Sequence, residues 1–140
     1  MRNWAKALKC LFILAPLFWL TLASAGGLSM GRAVWTPPEP EFLYPMGDSV
    51  DLTGKDALEF KWIVRDPVTA SYTDFRIYKT YQDYAANLIM KVEAPAGPRS
   101  SYSVKADTFQ NGEVYTCVIR VVTNGGKKSN PVYASFKVKK

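Results

Sequence analysis

The chain has 140 residues, of which 18 are Lys or Arg, 12 are Asp or Glu and none is His. That length suits one domain with its own hydrophobic core and leaves no room for two domains of ordinary size. The lack of histidine excludes most catalytic triads, most zinc and haem sites and the usual pH switch near neutrality.

The first 25 residues have the features of a secretory signal peptide. Three basic residues precede an apolar run at residues 11–22, and Ala23, Ser24 and Ala25 then supply a cleavage site of small residues. The alternative is an uncleaved membrane anchor, but the apolar run is shorter than the ~20 residues that a spanning helix needs. The sequence therefore predicts export to the periplasm or the extracellular space. A membrane contact is expected only if this segment is uncleaved.

Cleavage after residue 25 would change both the charge and the cysteine content. The net charge of +6 includes Arg2, Lys6 and Lys9, so the exported chain would keep an excess of only three positive charges. These charges are scattered along the sequence, and no nucleic-acid partner is expected. Cys10 would be lost as well, which leaves Cys117 without a partner for an intramolecular disulfide.

Residues 26–40 are rich in Gly and Pro, and this composition predicts an extended leader without regular structure. Residues 35–40, with three prolines, are expected to be polyproline-like. We interpret the leader as a tether. The alternative is a docking segment with Trp35 as its anchor.

From residue 41 to residue 140, short apolar runs with a period of two alternate with turn residues, which is typical of β-strands. Strands are predicted at residues 42–44, 58–63, 74–78, 88–92, 102–104, 115–122 and 132–138. The Asn124-Gly125-Gly126 sequence predicts a tight turn before the last strand, and residues 81–86 are long enough for one helical turn. The pattern indicates an all-β domain, an antiparallel seven-stranded β-sandwich.

The last part of this pattern resembles the end of a fibronectin type III domain. An apolar residue, Phe109, lies six positions before Tyr115, and the inward residues of a strand, a Gly-containing turn and a final strand follow. Leu58-x-Phe60-x-Trp62 is similar to the second strand of that family. The resemblance covers about residues 40–138 and implies an extracellular interaction role. It also implies that the Tyr115 hydroxyl is hydrogen-bonded to nearby backbone, while Trp62, Phe109 and Tyr115 stabilise the fold.

The immunoglobulin domain is a related alternative, because Tyr115 lies two residues before Cys117. In that family a second cysteine would stand where this chain has Trp62, which favours the type III interpretation. Cys117 is then predicted to be a buried, unreactive thiol with a structural role.

No constellation for catalysis is recognisable in the sequence. Asp48, Asp51 and Asp56 lack the spacing of a calcium loop and its terminal Glu, and there is no Gly-rich phosphate loop or nucleophile elbow. We therefore expect a protein that is not an enzyme and that has no catalytic residues, cofactor or metal.

The one unusual feature among the candidate surface residues is a high density of tyrosines. Four of them lie within 13 residues: Tyr72, Tyr78, Tyr81 and Tyr84. If Phe75 faces the core, strand alternation turns Tyr78 outwards, and exposed tyrosines are enriched at interfaces. The alternative is that some of these rings pack on the sandwich.

Two functions are compatible with these features. The first is a module of the cell envelope or extracellular space that binds a protein partner through the tyrosine-rich face, loops or an edge strand. The second is a carbohydrate-binding module in which Tyr78, Tyr81 and Tyr84 stack against the sugars of a polysaccharide.

Overall fold

The computed structural model describes residues 34–140; the predicted signal peptide and the leader up to residue 33 lie outside the described residues. The described part contains eight strands and two single turns of 3₁₀ helix, at Ala85–Asn87 and Ala106–Thr108. The strands are β1 (Glu41–Tyr44), β2 (Ser49–Asp51), β3 (Ala57–Ile63), β4 (Ala70–Lys79), β5 (Leu88–Ala94), β6 (Ser100–Lys105), β7 (Val114–Thr123) and β8 (Val132–Lys139). Neither helical turn in this part of the chain is long enough or apolar enough to span a bilayer.

The strands form two sheets. One has the order β1-β3-β6, and the other has the order β2-β8-β7-β4-β5. All neighbouring strands are antiparallel except β2 and β8, which are parallel. The prediction of an all-β sandwich is confirmed, but the described residues hold eight strands and not seven. The additional strand, β2, has only three residues, of which Val50 alone is buried. Such a segment is too short to display the alternation from which a strand is predicted.

The hydrophobic core lies between the two sheets. Alternation along β3 buries Leu58, Phe60 and Trp62, and alternation along β4 buries Phe75 and Ile77 opposite them. The ring of Phe75 lies 5.1 Å from that of Phe60, edge to face, and 5.8 Å from that of Trp62, stacked. These are the separations at which aromatic pairs attract beyond simple burial.

The one polar group of the Trp62 ring is satisfied inside this core. Its indole N–H donates a hydrogen bond of 3.1 Å to the hydroxyl of Thr73 on β4. The Thr73 hydroxyl in turn donates to the carbonyl of Pro95, at 2.9 Å, just after β5. The relay joins β3, β4 and the end of β5 and leaves no buried donor without an acceptor at this point.

Tyr115, at the start of β7, fixes the connection that leads from β6. Its buried hydroxyl accepts a hydrogen bond of 2.8 Å from the backbone N–H of Gln110. The ring of Phe109 packs edge to face against that of Tyr115, with 5.0 Å between the centroids. Gly112 turns the chain between them with a φ of +81°, a conformation that glycine adopts without strain.

The end of the predicted leader lies against the sandwich. Residues 35–40 form neither helix nor strand, but Pro37 and Pro40 are buried. The ammonium group of Lys127 lies 5.4 Å from the centre of the Trp35 ring, and the Asn130 amide donates to the Glu39 carboxylate at 2.9 Å. The compact unit that contains both sheets begins at Trp35.

Replacing Trp62 by Ala should lower the free energy of unfolding by about 3–5 kcal/mol, because it leaves a large cavity in the core. Urea denaturation followed by circular dichroism measures this loss. Trp35→Ala is the matched control, since that ring is half exposed, and it should cost less than half as much. Equal losses at the two positions would contradict the proposed central role of Trp62.

Replacing Tyr115 by Phe should lower the free energy of unfolding by about 1–3 kcal/mol, because the N–H of Gln110 loses the buried hydroxyl that accepts its hydrogen bond. Tyr81→Phe removes a hydroxyl from an exposed ring and should change the stability by less than about 0.5 kcal/mol. The same urea titration compares the two variants. No loss for Tyr115→Phe would mean that the hydrogen bond contributes nothing to the fold.

Candidate functional site

The four clustered tyrosines do not form one exposed face. Tyr72 and Tyr78 lie on β4, while Tyr81 and Tyr84 lie in the connection from β4 to β5. Tyr72 is half-buried, whereas 72% of Tyr81 and 61% of Tyr84 are exposed. Only the two tyrosines of the connection are therefore available as contact residues.

The prediction that Tyr78 is exposed was wrong. Its side chain does point away from the core, in register with Thr116 on β7, but it is only 5% exposed. The connection covers it: the carboxylate of Asp83 accepts a hydrogen bond of 3.1 Å from the hydroxyl of Tyr133 on β8. Since β8 lies two strands beyond β4, residues 80–87 must cross the outer face of the five-stranded sheet. We call residues 80–87 the strap.

Thr80 starts the strap in an unusual backbone conformation. Its φ is +79°, a left-handed value that is strained for a β-branched residue. Hydrogen bonds hold it there: its N–H donates to the carbonyl of Val114 at 2.8 Å, and its carbonyl accepts from the hydroxyl of Thr116 at 2.7 Å. Its hydroxyl accepts from the backbone N–H of Gln82 at 3.3 Å and the amide of Asn87 at 3.4 Å. The strap is thus fixed at its start, and Tyr81 follows directly.

A partly buried ion pair lies next to the strap on the outer face of β4. The guanidinium of Arg76 donates two hydrogen bonds to the carboxylate of Asp74, at 3.0 and 2.7 Å. Asp74 is buried and Arg76 is half-buried. The bonds to Asp74, and a further one to Tyr78, raise the pKa of Arg76, so the guanidinium stays charged. The two charged groups are hydrogen-bonded to each other, and the pair is therefore a fixed part of this surface.

The strap leads directly into β5, the last strand of the five-stranded sheet. β5 has only β4 as a neighbour, so its far side presents backbone N–H and C=O groups without a strand partner in residues 34–140. Leu88 and Ile89 are exposed at its start, and Ile89 is the additional residue of a β-bulge. Lys91 and Glu93 are exposed on the outer face, while Met90 and Val92 pair with core-facing residues of β4. We call the free side of β5 the β5 edge.

The other edges of the two sheets offer less for a partner. β1 has four residues and β2 has three, which allows few backbone hydrogen bonds. β6 has six residues, but its exposed side chains are Ser101, Ser103 and Lys105. β5 is thus the one described edge that combines seven residues with exposed aliphatic side chains.

The remaining candidate groups are isolated from one another. Cys117 is buried between the sheets, and this burial raises the pKa of its thiol well above the usual value, which makes it unreactive. The carboxylate of Asp51 accepts from the N–H of Thr53 at 2.9 Å and lies 3.8 Å from the ammonium of Lys139. In the described part of the chain no three Cys, Asp or Glu side chains come together as metal ligands.

No protein-family model matches the sequence, and no curated protein matches it. Among solved structures, it is similar to the crystal structure of an Fn3-like protein from Clostridium thermocellum. The sequence identity is 17%, the match covers 76% of this chain and 97% of that chain, and the TM-score is 0.47. The two packed sheets described above form the all-β sandwich that the sequence predicted.

Position 80 should tolerate glycine better than alanine. Both Thr80→Gly and Thr80→Ala lose the two hydrogen bonds to the hydroxyl, but only Gly relieves the left-handed strain. Thr80→Gly should therefore be more stable than Thr80→Ala by roughly 1 kcal/mol in urea denaturation. Thr53, which is outside the left-handed region, serves as the control, and there the Ala variant should be the more stable one. The same order at both positions would show that Thr80 is not strained.

Proposed function

We propose that this fibronectin type III-like domain is a non-enzymatic module of the cell envelope or extracellular space that binds a protein partner. The binding surface is the β5 edge together with Tyr81 and Tyr84 of the strap. The main observation behind this proposal is the position of the longest free edge in the described sheets. That edge begins with the exposed residues Leu88 and Ile89, next to the two exposed tyrosines.

The β5 edge supports this proposal through its backbone. An extended segment of another protein can add to a free edge as a further strand, and main-chain hydrogen bonds then supply affinity. Exposed aliphatic side chains on the same edge add apolar area that becomes buried in the complex.

The strap supports the proposal through its rigidity. Tyr84 lies one 3₁₀ turn before Leu88, and its carbonyl accepts a hydrogen bond of 2.8 Å from the N–H of Asn87. Thr80 and Asp83 fix the other parts of the strap on β7 and β8. The backbone that carries the two aromatic rings is held in this way, so it loses little conformational freedom on binding, which favours affinity.

Export is part of the proposal and depends on the N-terminal segment, residues 1–25. A positive start, an apolar run and small residues at positions 23–25 support cleavage before Gly26.

The carbohydrate-binding alternative loses one of its three stacking residues, because Tyr78 is buried beneath the strap. Tyr81 and Tyr84 remain as exposed rings on which sugars could stack. The protein-binding function is favoured because it uses the free backbone of β5 as well as the rings.

The experiment is cross-linking in cells that produce the tagged full-length chain, followed by identification of the co-purified proteins and of the N-terminus by mass spectrometry. A partner should be captured by the unmodified chain and lost with Ile89→Lys and with the double variant Tyr81→Ala/Tyr84→Ala. Leu43→Lys is the matched control, since Leu43 lies on the β1 edge and is exposed to 41%, close to the 43% of Ile89.

A partner that Ile89→Lys still captures would refute the proposed surface. Retention on a polysaccharide without any protein partner would support the carbohydrate alternative. A mature chain that starts at Gly26 would support export, and an intact Met1 would overturn it.

A further inference from the structure

We propose that the β5 edge takes the β5 strand of a second copy of this chain, paired antiparallel about a two-fold axis at Val92. This inference rests on the proposed function, because it names the partner of the same surface. The dimer would join two five-stranded sheets into one continuous sheet.

The charges on the outer face of β5 are the first observation. Lys91 is directly opposite Arg76 on β4, and Glu93 is directly opposite Asp74. Each exposed charge of β5 thus faces a like charge across the strand pair, an arrangement that is unfavourable. Arg76 and Asp74 neutralise each other through their two hydrogen bonds.

Lys91 and Glu93 have no such compensation. Within residues 34–140, no group of opposite charge lies within 4.0 Å of either side chain. Both are exposed on the one strand that lacks a second neighbour. An added strand that placed a carboxylate opposite Lys91 and an ammonium opposite Glu93 would supply both missing partners.

The β5 strand itself meets this requirement in one register. Residues directly opposite in an antiparallel pair point to the same face, so the two-fold axis of a self-paired strand lies midway between the two copies of one residue, and that residue defines the register. An axis at Lys91 would set two lysines opposite each other, and an axis at Glu93 would do the same with two glutamates. An axis at Met90 would set Lys91 opposite Ile89.

The axis at Val92 gives a different result. It sets Lys91 of each copy opposite Glu93 of the other, which makes two opposite-charge pairs on the outer face. On the inner face it sets Val92 opposite Val92 and Met90 opposite Ala94. Met90 and Val92 are only partly buried in the single chain, so the second copy would also cover apolar surface.

The expected dimer is weak. One pair of seven-residue strands buries less area than the ~1,200–2,000 Å² typical of stable interfaces. Two exposed ion pairs add modest affinity and are screened by salt. Self-association should therefore depend on concentration and should decrease as ionic strength rises.

Sedimentation equilibrium of the chain purified from producing cells, at concentrations up to about 1 mM and at low salt, tests this inference. The unmodified chain should approach twice the monomer mass. Lys91→Glu alone and Glu93→Lys alone should each weaken self-association by about tenfold or more, because the two strands then repel each other. Lys105→Glu on the β6 edge should leave it unchanged.

Mixing the two single variants gives the decisive result. A strand with two acidic residues then meets a strand with two basic residues, and the Val92 register makes both pairs complementary. The mixture should associate as well as the unmodified chain, although neither variant does so alone. Unfolding is not expected to interfere, since each substitution replaces a like-charge neighbour within the monomer by an opposite charge.

Three results would overturn the inference: a monomer at every concentration, a dimer that neither charge reversal weakens, or a mixture that fails to associate. If the chain is monomeric but still captures another protein in a manner that depends on Ile89, the self-pairing fails and the proposed function stands. If no captured protein depends on Ile89 either, both fail.

Discussion

The packing of aromatic rings between the two sheets is the constraint on which the rest of this structure depends. Phe75 on β4 contacts Phe60 and Trp62 on β3 and Tyr102 on β6, so it links the five-stranded sheet to the three-stranded one. The described part of the chain has one cysteine and hence no disulfide to hold the sheets together. Apolar burial must supply this cohesion. The hydroxyl of Thr73 lets the Trp62 ring be buried completely, since it accepts the indole hydrogen bond.

Because this core fixes β4, it also fixes what lies on the opposite face of the same strand. Residues that alternate with Phe75 and Ile77 must point outwards, and these include Asp74, Arg76 and Tyr78. Their burial costs free energy unless the polar groups are paired. The bidentate ion pair and the strap provide that pairing and cover. The outer face of β4 is therefore closed, and the side chains left exposed beside it are those of Tyr81, Tyr84 and the β5 edge.

The sequence predicts the parts of this arrangement that depend on local alternation. Phe60 and Trp62 signal β3, because their alternation spans several residues of one strand. Phe109 lies before β7, and its spacing of six residues from Tyr115 signals where that strand starts. Alternation gives the face of Tyr78 correctly but cannot show that a later segment folds over it. The left-handed conformation of Thr80 is also hidden, since a β-branched residue in that position contradicts local preference and is held there by distant partners.

Strand order within a sheet is the other property that alternation does not contain. The sequence of β5 does not show whether the strand has one neighbour or two. Its position at the edge follows from the strand order, because β4 pairs with β5 on one side and with β7 on the other. The like charges opposite Lys91 and Glu93 are known only from the register of β5 against β4. An edge lysine alone would be read as protection against strand addition. Lys91, however, has Glu93 two residues away on the same face, and a like charge lies opposite each of them on β4. In the proposed pairing, Lys91 therefore selects which strand can be added. Lys91 and Glu93 thus determine both whether the β5 edge resists an added strand and whether it accepts one. The outcome depends on the register in which the added strand pairs with β5.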